Sequence, residues 1–300
     1  MLQDRWRVLL AALIVALALG AASCGDDDEE EPAGGGATAT EEGAAADEFP
    51  AGSTMAKIQE KGEITIGVKY DVPPFGFKNP ESGEVEGFDV DFGKAVADAL
   101  GVEPKLVEAI SDNRIPFIQD GTVDLILSTM TINAERAAEI GFSDPYFIAK
   151  GRILVPEDSD IAGIDDLAGR KVCTALGSTY EETLKTQAPE AELRLVDAYS
   201  ECLELLQNGA IDAISTDDVI LTGMIIQDDS LKLVGDELTV EPYGAGFKKD
   251  DTEFADFING VLEEWKSSGG WQESYDNWLG QHTGEEQTPP DQTLEEVLAG

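Results

Sequence analysis

The sequence predicts an α/β protein of two lobes, each a mostly parallel sheet flanked by helices, joined by two hinge crossings. Three observations carry this. From Gly62 onward, short β-rich runs alternate with helical stretches. The alternation comes as two successive series. A late strand-like run, Gly244 to Phe247, reads as a return crossing after the second series.

The chain opens with Arg5-Trp6-Arg7 and a 12-residue apolar run, Val8 to Leu19. A transmembrane helix needs about 20 apolar residues, so the run reads instead as a secretory signal with a small-residue processing site. The lone Cys24 that closes the site resembles the lipobox cysteine of a bacterial lipoprotein, although Ala21 stands where a leucine is usual. That resemblance implies lipid on Cys24 and puts the signal peptide at 1–24. Residues 25–54 read as an acidic, Gly- and Ala-rich disordered tether; 25–50 hold ten acids and no base.

In the first series Ile64 to Val68 is a strand, carried on to Lys69. Asp89 to Leu100 is a helix closed by Gly101. Lys105 to Val107 is a strand, Ile115 to Asp120 a helix, Asp124 to Ser128 a strand, and a further helix starts at Asn133. Gly151 to Val155 is the next strand. The second series runs Arg170–Ala175 strand, Thr179–Gln187 helix, Leu193–Val196 strand, Ser200–Asn208 helix and Asp212–Ser215 strand. Glu253 to Ser267 is a long amphipathic helix. The expected organisation is lobe 1 at 55–149 and 244–282, lobe 2 at 150–243, and a flexible C-terminal tail at 283–300.

Composition restricts the partners. With 61 acidic and 20 basic residues the formal charge is −41, which opposes nucleic acid and anionic membrane surfaces. A hydrophobic content of 42% argues against a disordered solvating chain. There is a single histidine, His282, and neither a phosphate-cradling glycine loop nor a metal-ligand spacing is present, so no cofactor and no metal are expected. In an exported protein the remaining cysteines, Cys173 and Cys202, are expected to form a disulfide, free buried thiols being the alternative.

Basic residues are scarce, so their positions carry information. Lys69 ends the first strand, while Arg114 and Arg136 stand where helices start after strands, an end that disfavours cations. All three therefore lie at carboxyl ends of parallel strands, the edge where open α/β sheets bind ligands. The inference is an anion pocket built from helix N-termini and fixed cations.

At this point the motifs resemble a known family. Gly67 to Phe75 followed by Gly87-Phe88-Asp89-Val90-Asp91, then Asp120 to Leu125, Thr131 to Arg136 and Phe142 to Tyr146, are similar to the polar amino acid class of bacterial extracellular solute-binding proteins. Gly177-Ser178-Thr179, Gly209 to Ala213, Asp217 and Gly269-Gly270-Trp271 continue the match. The resemblance implies a type II periplasmic-binding-protein fold closing over one amino acid for an ABC importer, with permease subunits as partners. It implies a monomeric binder rather than an enzyme, held by lipid on the outer face of the cytoplasmic membrane.

By this resemblance Arg136 clamps the ligand α-carboxylate, while Ser128, Thr129 and Thr131 add hydrogen bonds. Asp217 takes the α-ammonium, and Gly177, Ser178 and Thr179 present backbone and hydroxyl groups. Lys69, Ser111 and Arg114 remain for the distal group. They resemble the glutamate-binding branch, so L-glutamate is expected, with glutamine or aspartate as alternatives. A cyclohexadienyl dehydratase-like enzyme on the same fold is the competing class.

Overall fold

The computed structural model describes residues 49–280, 282 and 287–300. The predicted signal peptide, Cys24 and residues 25–48 of the predicted tether lie outside the described residues. No helix among the described residues is long and apolar enough to cross a membrane.

The folded chain starts earlier than the expected tether boundary. Phe49 packs edge-on against Phe257 with ring centroids 5.4 Å apart. Ser53 caps helix α1 (Thr54–Lys61) by accepting the Ala56 N–H, and Gly62 ends it in the left-handed region. An aromatic anchor and a capped helix take these residues out of the solvated segment.

Strand β1 (Glu63–Val68) follows, then a small antiparallel sheet of β2 (Asp71–Val72), β3 (Gly76–Lys78) and β4 (Val85–Glu86). Helix α2 (Phe88–Leu100) leads to β5 (Glu103–Glu108), α3 (Arg114–Gln119), β6 (Leu125–Ile126) and α4 (Ala134–Ala137). Strand β7 (Gly141–Pro156) comes next. The second series is β8 (Lys171–Ala175), α5 (Thr179–Gln187), β9 (Glu192–Val196), α6 (Tyr199–Gln207), β10 (Ala213–Asp217), α7 (Asp218–Gln227) and β11 (Leu231–Val234). The chain returns through β12 (Val240–Phe247) to α8 (Thr252–Ser267), α9 (Gly270–Tyr275) and α10 (Leu294–Ala299).

The strands form the order β5-β1-β6-β12-β7-β10-β8-β9, with β11 added to β7. Strand β1 lies parallel between β5 and β6, and β8 lies parallel between β9 and β10. These are the two parallel cores of a two-lobed α/β fold. Between them run β7 and β12, antiparallel to each other. Strand β7 pairs with β12 through Lys150 and with β10 from Gly151 onward, so one strand serves both halves. The sequence marks only its last part, Gly151 to Val155, as strand.

Apolar burial explains the layers. Strand β1 buries five of its six residues, and α2 covers it with Val90, Phe92, Val96, Ala97 and Leu100. An aromatic cluster of Phe75, Phe88, Phe147, Tyr146, Tyr243 and Trp271 fixes the crossings against helices α2 and α9. The disulfide is formed: Cys173 on β8 and Cys202 on α6 are bonded, with Cα atoms 5.6 Å apart.

The C-terminal tail departs from expectation. Its last residues form α10, capped reciprocally by Thr293 and Glu296. The Leu294 N–H donates to Asp144 Oδ1 at 2.6 Å, and Leu294 and Val297 pack against the cluster containing Ile118, Ile140 and Phe142. One turn and a half of helix is too short to display a period in sequence, so only its docking reveals it.

Candidate functional site

The carboxyl ends of the two parallel cores face each other. From the first come Lys69 after β1, Ser111 and Arg114 after β5, and Ser128 to Arg136 after β6. From the second come Gly177, Ser178 and Thr179 after β8, Tyr199 after β9, and Asp217 at the end of β10. A cavity is enclosed between them, lined by Ser111, Arg114, Thr129, Thr131, Arg136, Ser178, Thr179, Tyr180, Tyr199 and Asp217. It opens into a larger groove rimmed by Asp112, Glu135, Glu139 and Glu182.

Local structure explains the cations. Asn133 caps α4 by accepting the Arg136 N–H at 2.8 Å, as its position before the helix predicts. The Arg136 guanidinium then folds back, donating from Nη1 to Thr131 O at 2.8 Å and from Nη2 to Gly177 O at 3.1 Å. Arg114 spends its donors on loop carbonyls: Nε on Ser111 O, and Nη1 on Ser128 O and Thr129 O at 2.8 and 3.1 Å. It therefore braces the loops that follow β5 and β6 while keeping its charge at the cavity wall. Ser128 is turned inward, its Oγ donating to Ala109 O, and supplies structure rather than cavity surface.

Lys69 lies one layer behind the wall. It is 1% exposed, its Nζ donates to Ser111 Oγ at 2.7 Å, and it stands 5.4 Å from the Tyr199 ring centroid. Since Ser111 Oγ accepts this bond, its own proton is directed elsewhere. Burial, with help from Arg114, lowers the Lys69 pKa to about 7. Burial also lowers Arg114, to about 9, with Arg136 adding to the shift. Among the described residues no carboxylate stands within ion-pair distance of Lys69, Arg114 or Arg136.

Asp217 marks the opposite wall. It precedes α7 at the N-cap position, yet its side chain makes no capping bond; Oδ1 instead accepts from Tyr180 Oη at 2.8 Å. Burial and the nearby Glu241 raise its pKa to about 8. Gly177 carries a close approach between the halves at the cavity. Its φ is +73°, and a Cβ there would stand 2.6 Å from the Asp112 Cα, so a side chain is excluded twice over.

Several site residues lie beyond the sequence reading. Tyr180 and Tyr199 begin helices and show no pattern other than helical burial. Glu241 sits in a segment to which the sequence assigns no element, and no local signal marks it. Asp89, within the quoted Gly87 to Asp91 motif, is wholly buried; it accepts from Thr129 N at 2.9 Å and from Tyr146 Oη at 2.7 Å. It thus holds Thr129 in its unusual φ of +45°.

The model of the bacterial extracellular solute-binding proteins, family 3, matches residues 64–281. The chain belongs to this family. All the cavity-lining residues lie inside the matched segment. Among curated relatives, the chain is 42% identical over 230 residues to the ABC transporter glutamine-binding protein GlnH of Bacillus subtilis, covering 75% of this chain and 84% of the relative. It is 35% identical over 264 residues to the glutamate-binding protein GluB of Corynebacterium efficiens, covering 82% and 90%. Among solved structures, an ancestral arginine-binding protein bound to glutamine superposes with a TM-score of 0.70 at 37% identity, covering 73% of this chain and 98% of that one. The family 3 fold is accordingly that of the type II amino acid-binding proteins, as the strand order indicates.

Proposed function

We propose that this family 3 protein is the substrate-binding component of an ABC amino acid importer. It acts outside the cytoplasmic membrane, binds L-glutamate between its lobes and presents it to permease subunits, held to the membrane by lipid on Cys24. It works as a binder, not a catalyst, and as a monomer. The lobes are taken as 55–149 with 244–282 and 150–243, hinged where β7 and β12 cross.

One observation carries the ligand class: among the described residues, two buried cations without carboxylate partners, Arg114 and Arg136, line a cavity with the buried acid Asp217, and a third, Lys69, stands behind its wall. A zwitterion with a second anionic group complements that set. Arg136 takes the α-carboxylate with its planar fork, displacing the Gly177 carbonyl. Asp217 takes the α-ammonium, supported by Thr131 and Thr179, and Ser178 adds a hydroxyl at the start of α5. Ser111 donates to the distal carboxylate, with the charges of Lys69 behind it and Arg114 beside it.

L-glutamine is the second reading, and two observations favour it. A relative at 42% identity is named for glutamine, and a Lys69 pKa near 7 leaves part of the population neutral, which suits an amide. Isothermal titration with both amino acids decides between them. Arg136→Ala should cost at least about 3 kcal/mol for either ligand, since a buried carboxylate is left unpaired. Lys69→Ala should weaken glutamate far more than glutamine; equal losses would remove glutamate as the assigned ligand.

A further inference from the structure

We infer that Glu241 is a positioning residue that turns two cavity threonines into hydrogen-bond acceptors and so selects ligands carrying an ammonium group. Glu241 lies on β12, is 2% exposed and does not line the cavity. Its Oε2 accepts from Thr131 Oγ1 at 2.5 Å and from Thr179 Oγ1 at 3.0 Å. Both threonines face the same cavity as Asp217.

A hydroxyl has one proton and two lone pairs. With each proton committed to Glu241, the threonine oxygens present only lone pairs to the cavity. Such oxygens attract N–H donors and repel a carboxylate. The carboxyl group acts from behind the wall, fixing a polarity that a freely rotating hydroxyl does not hold. The other end of the cavity has the reverse arrangement, because Ser111 Oγ accepts from Lys69 and its proton is directed away from that bond. Buried charges thus orient the hydroxyls as acceptors at one end and as a donor at the other, matching the α-ammonium and the distal oxygen of the ligand.

Three further features agree. Glu241 and Asp217 crowd negative charge together, each carboxylate facing the same end, and Glu241 raises the Asp217 pKa. An ammonium group relieves that repulsion. Glu241 also supports the charged form of buried Arg136, against the effect of burial. Finally, Thr131 follows β6 in the first half of the sheet and Thr179 opens α5 in the second, with Glu241 on the strand that runs between the halves. The acceptor pair is complete only when the two halves are closed on each other.

The inference rests on the ligand being an α-amino acid, and its test separates the two. Affinities for L-glutamate, L-glutamine and glutarate, which is glutamate without its ammonium group, are measured by titration and competition. The proteins are the wild type, Glu241→Gln, the double variant Thr131→Val with Thr179→Val, and the triple combination. Glu241→Gln is expected to weaken both amino acids tenfold or more, by equal factors, and to change glutarate less than twofold. In the double-threonine background the same change is expected to cost the amino acids less than threefold, because its route is gone. A loss that persists in that background, an equal loss for glutarate, or no loss at all overturns the role of Glu241. Should Glu241→Gln fail to fold, the threonine variants alone must weaken the amino acids and spare glutarate, or the role is overturned. Wild-type protein that binds neither amino acid overturns the underlying reading as well.

Discussion

At the scale of single residues, burial sets the chemistry. Lys69 has the ordinary lysine value of 10.5 when solvated and about 7 here, because desolvation and Arg114 both penalise its charge. An incoming carboxylate favours the charged form, so binding glutamate draws a proton onto Lys69 wherever the free protein has lost it. That range begins near pH 7 and extends toward the ordinary lysine value. Affinity for glutamate should therefore fall, relative to glutamine, as pH rises above about 7, by several-fold per pH unit. Below that pH the ratio should level off. Titrating both ligands across the range checks this, and a flat ratio counts against Lys69 as the distal charge. The positions of Lys69, Arg114 and Arg136 were legible from strand ends and helix starts. Their division of labour was not: that Lys69 sits behind Ser111, and that Arg114 braces carbonyls, depends on side-chain reach across loops far apart in sequence.

At the scale of elements, the turn between β8 and α5 bears the most weight. Gly177 brings a carbonyl to both Arg114 and Arg136 from the opposite half of the cleft, at 3.4 and 3.1 Å. Gly177→Ala adds a Cβ where the Asp112 backbone already stands and strains a left-handed φ. The expected outcome is at least tenfold weaker binding of every amino acid ligand, mainly through faster dissociation, with the melting temperature lowered by only a few degrees, because the φ strain costs about 1 kcal/mol and the clash arises only on closure. Stopped-flow dissociation together with thermal melting tests it. A large fall in melting temperature would place the defect in folding instead. Elements with a clear period were readable, and α5 was read at its observed bounds, Thr179–Gln187. Helix α7 carries no legible period because it is apolar almost all round, burying Val219, Ile220, Leu221, Gly223 and Met224, so no face stands out. Strand β7 was read only in part because its neighbours change along its length, and pairing to two sheets leaves no single alternation to follow.

At the scale of the molecule, the disulfide and the charge act through the whole chain. Joining Cys173 to Cys202 closes a loop with a sequence separation of 29, which in the chain-entropy model contributes about 3–4 kcal/mol. Cys173→Ala with Cys202→Ala should lower unfolding stability by about that amount in urea titrations while leaving ligand affinity within about twofold, since neither cysteine lines the cavity. An unchanged midpoint would show that the crosslink contributes little. The net charge of −41 repels an anionic ligand at long range, so its binding depends on cations gathered locally and shielded from solvent. The two alternating series of strands and helices, the paired cysteines and the placement of cations at strand ends could be read along the chain, because each is a local pattern or a count. Which side chains meet could not. Glu241 against Thr131 and Thr179, Asp89 against Thr129, Tyr199 over Lys69 and the docked C-terminal helix join residues far apart in sequence, and only the closing of the sheet brings them within hydrogen-bonding or packing distance.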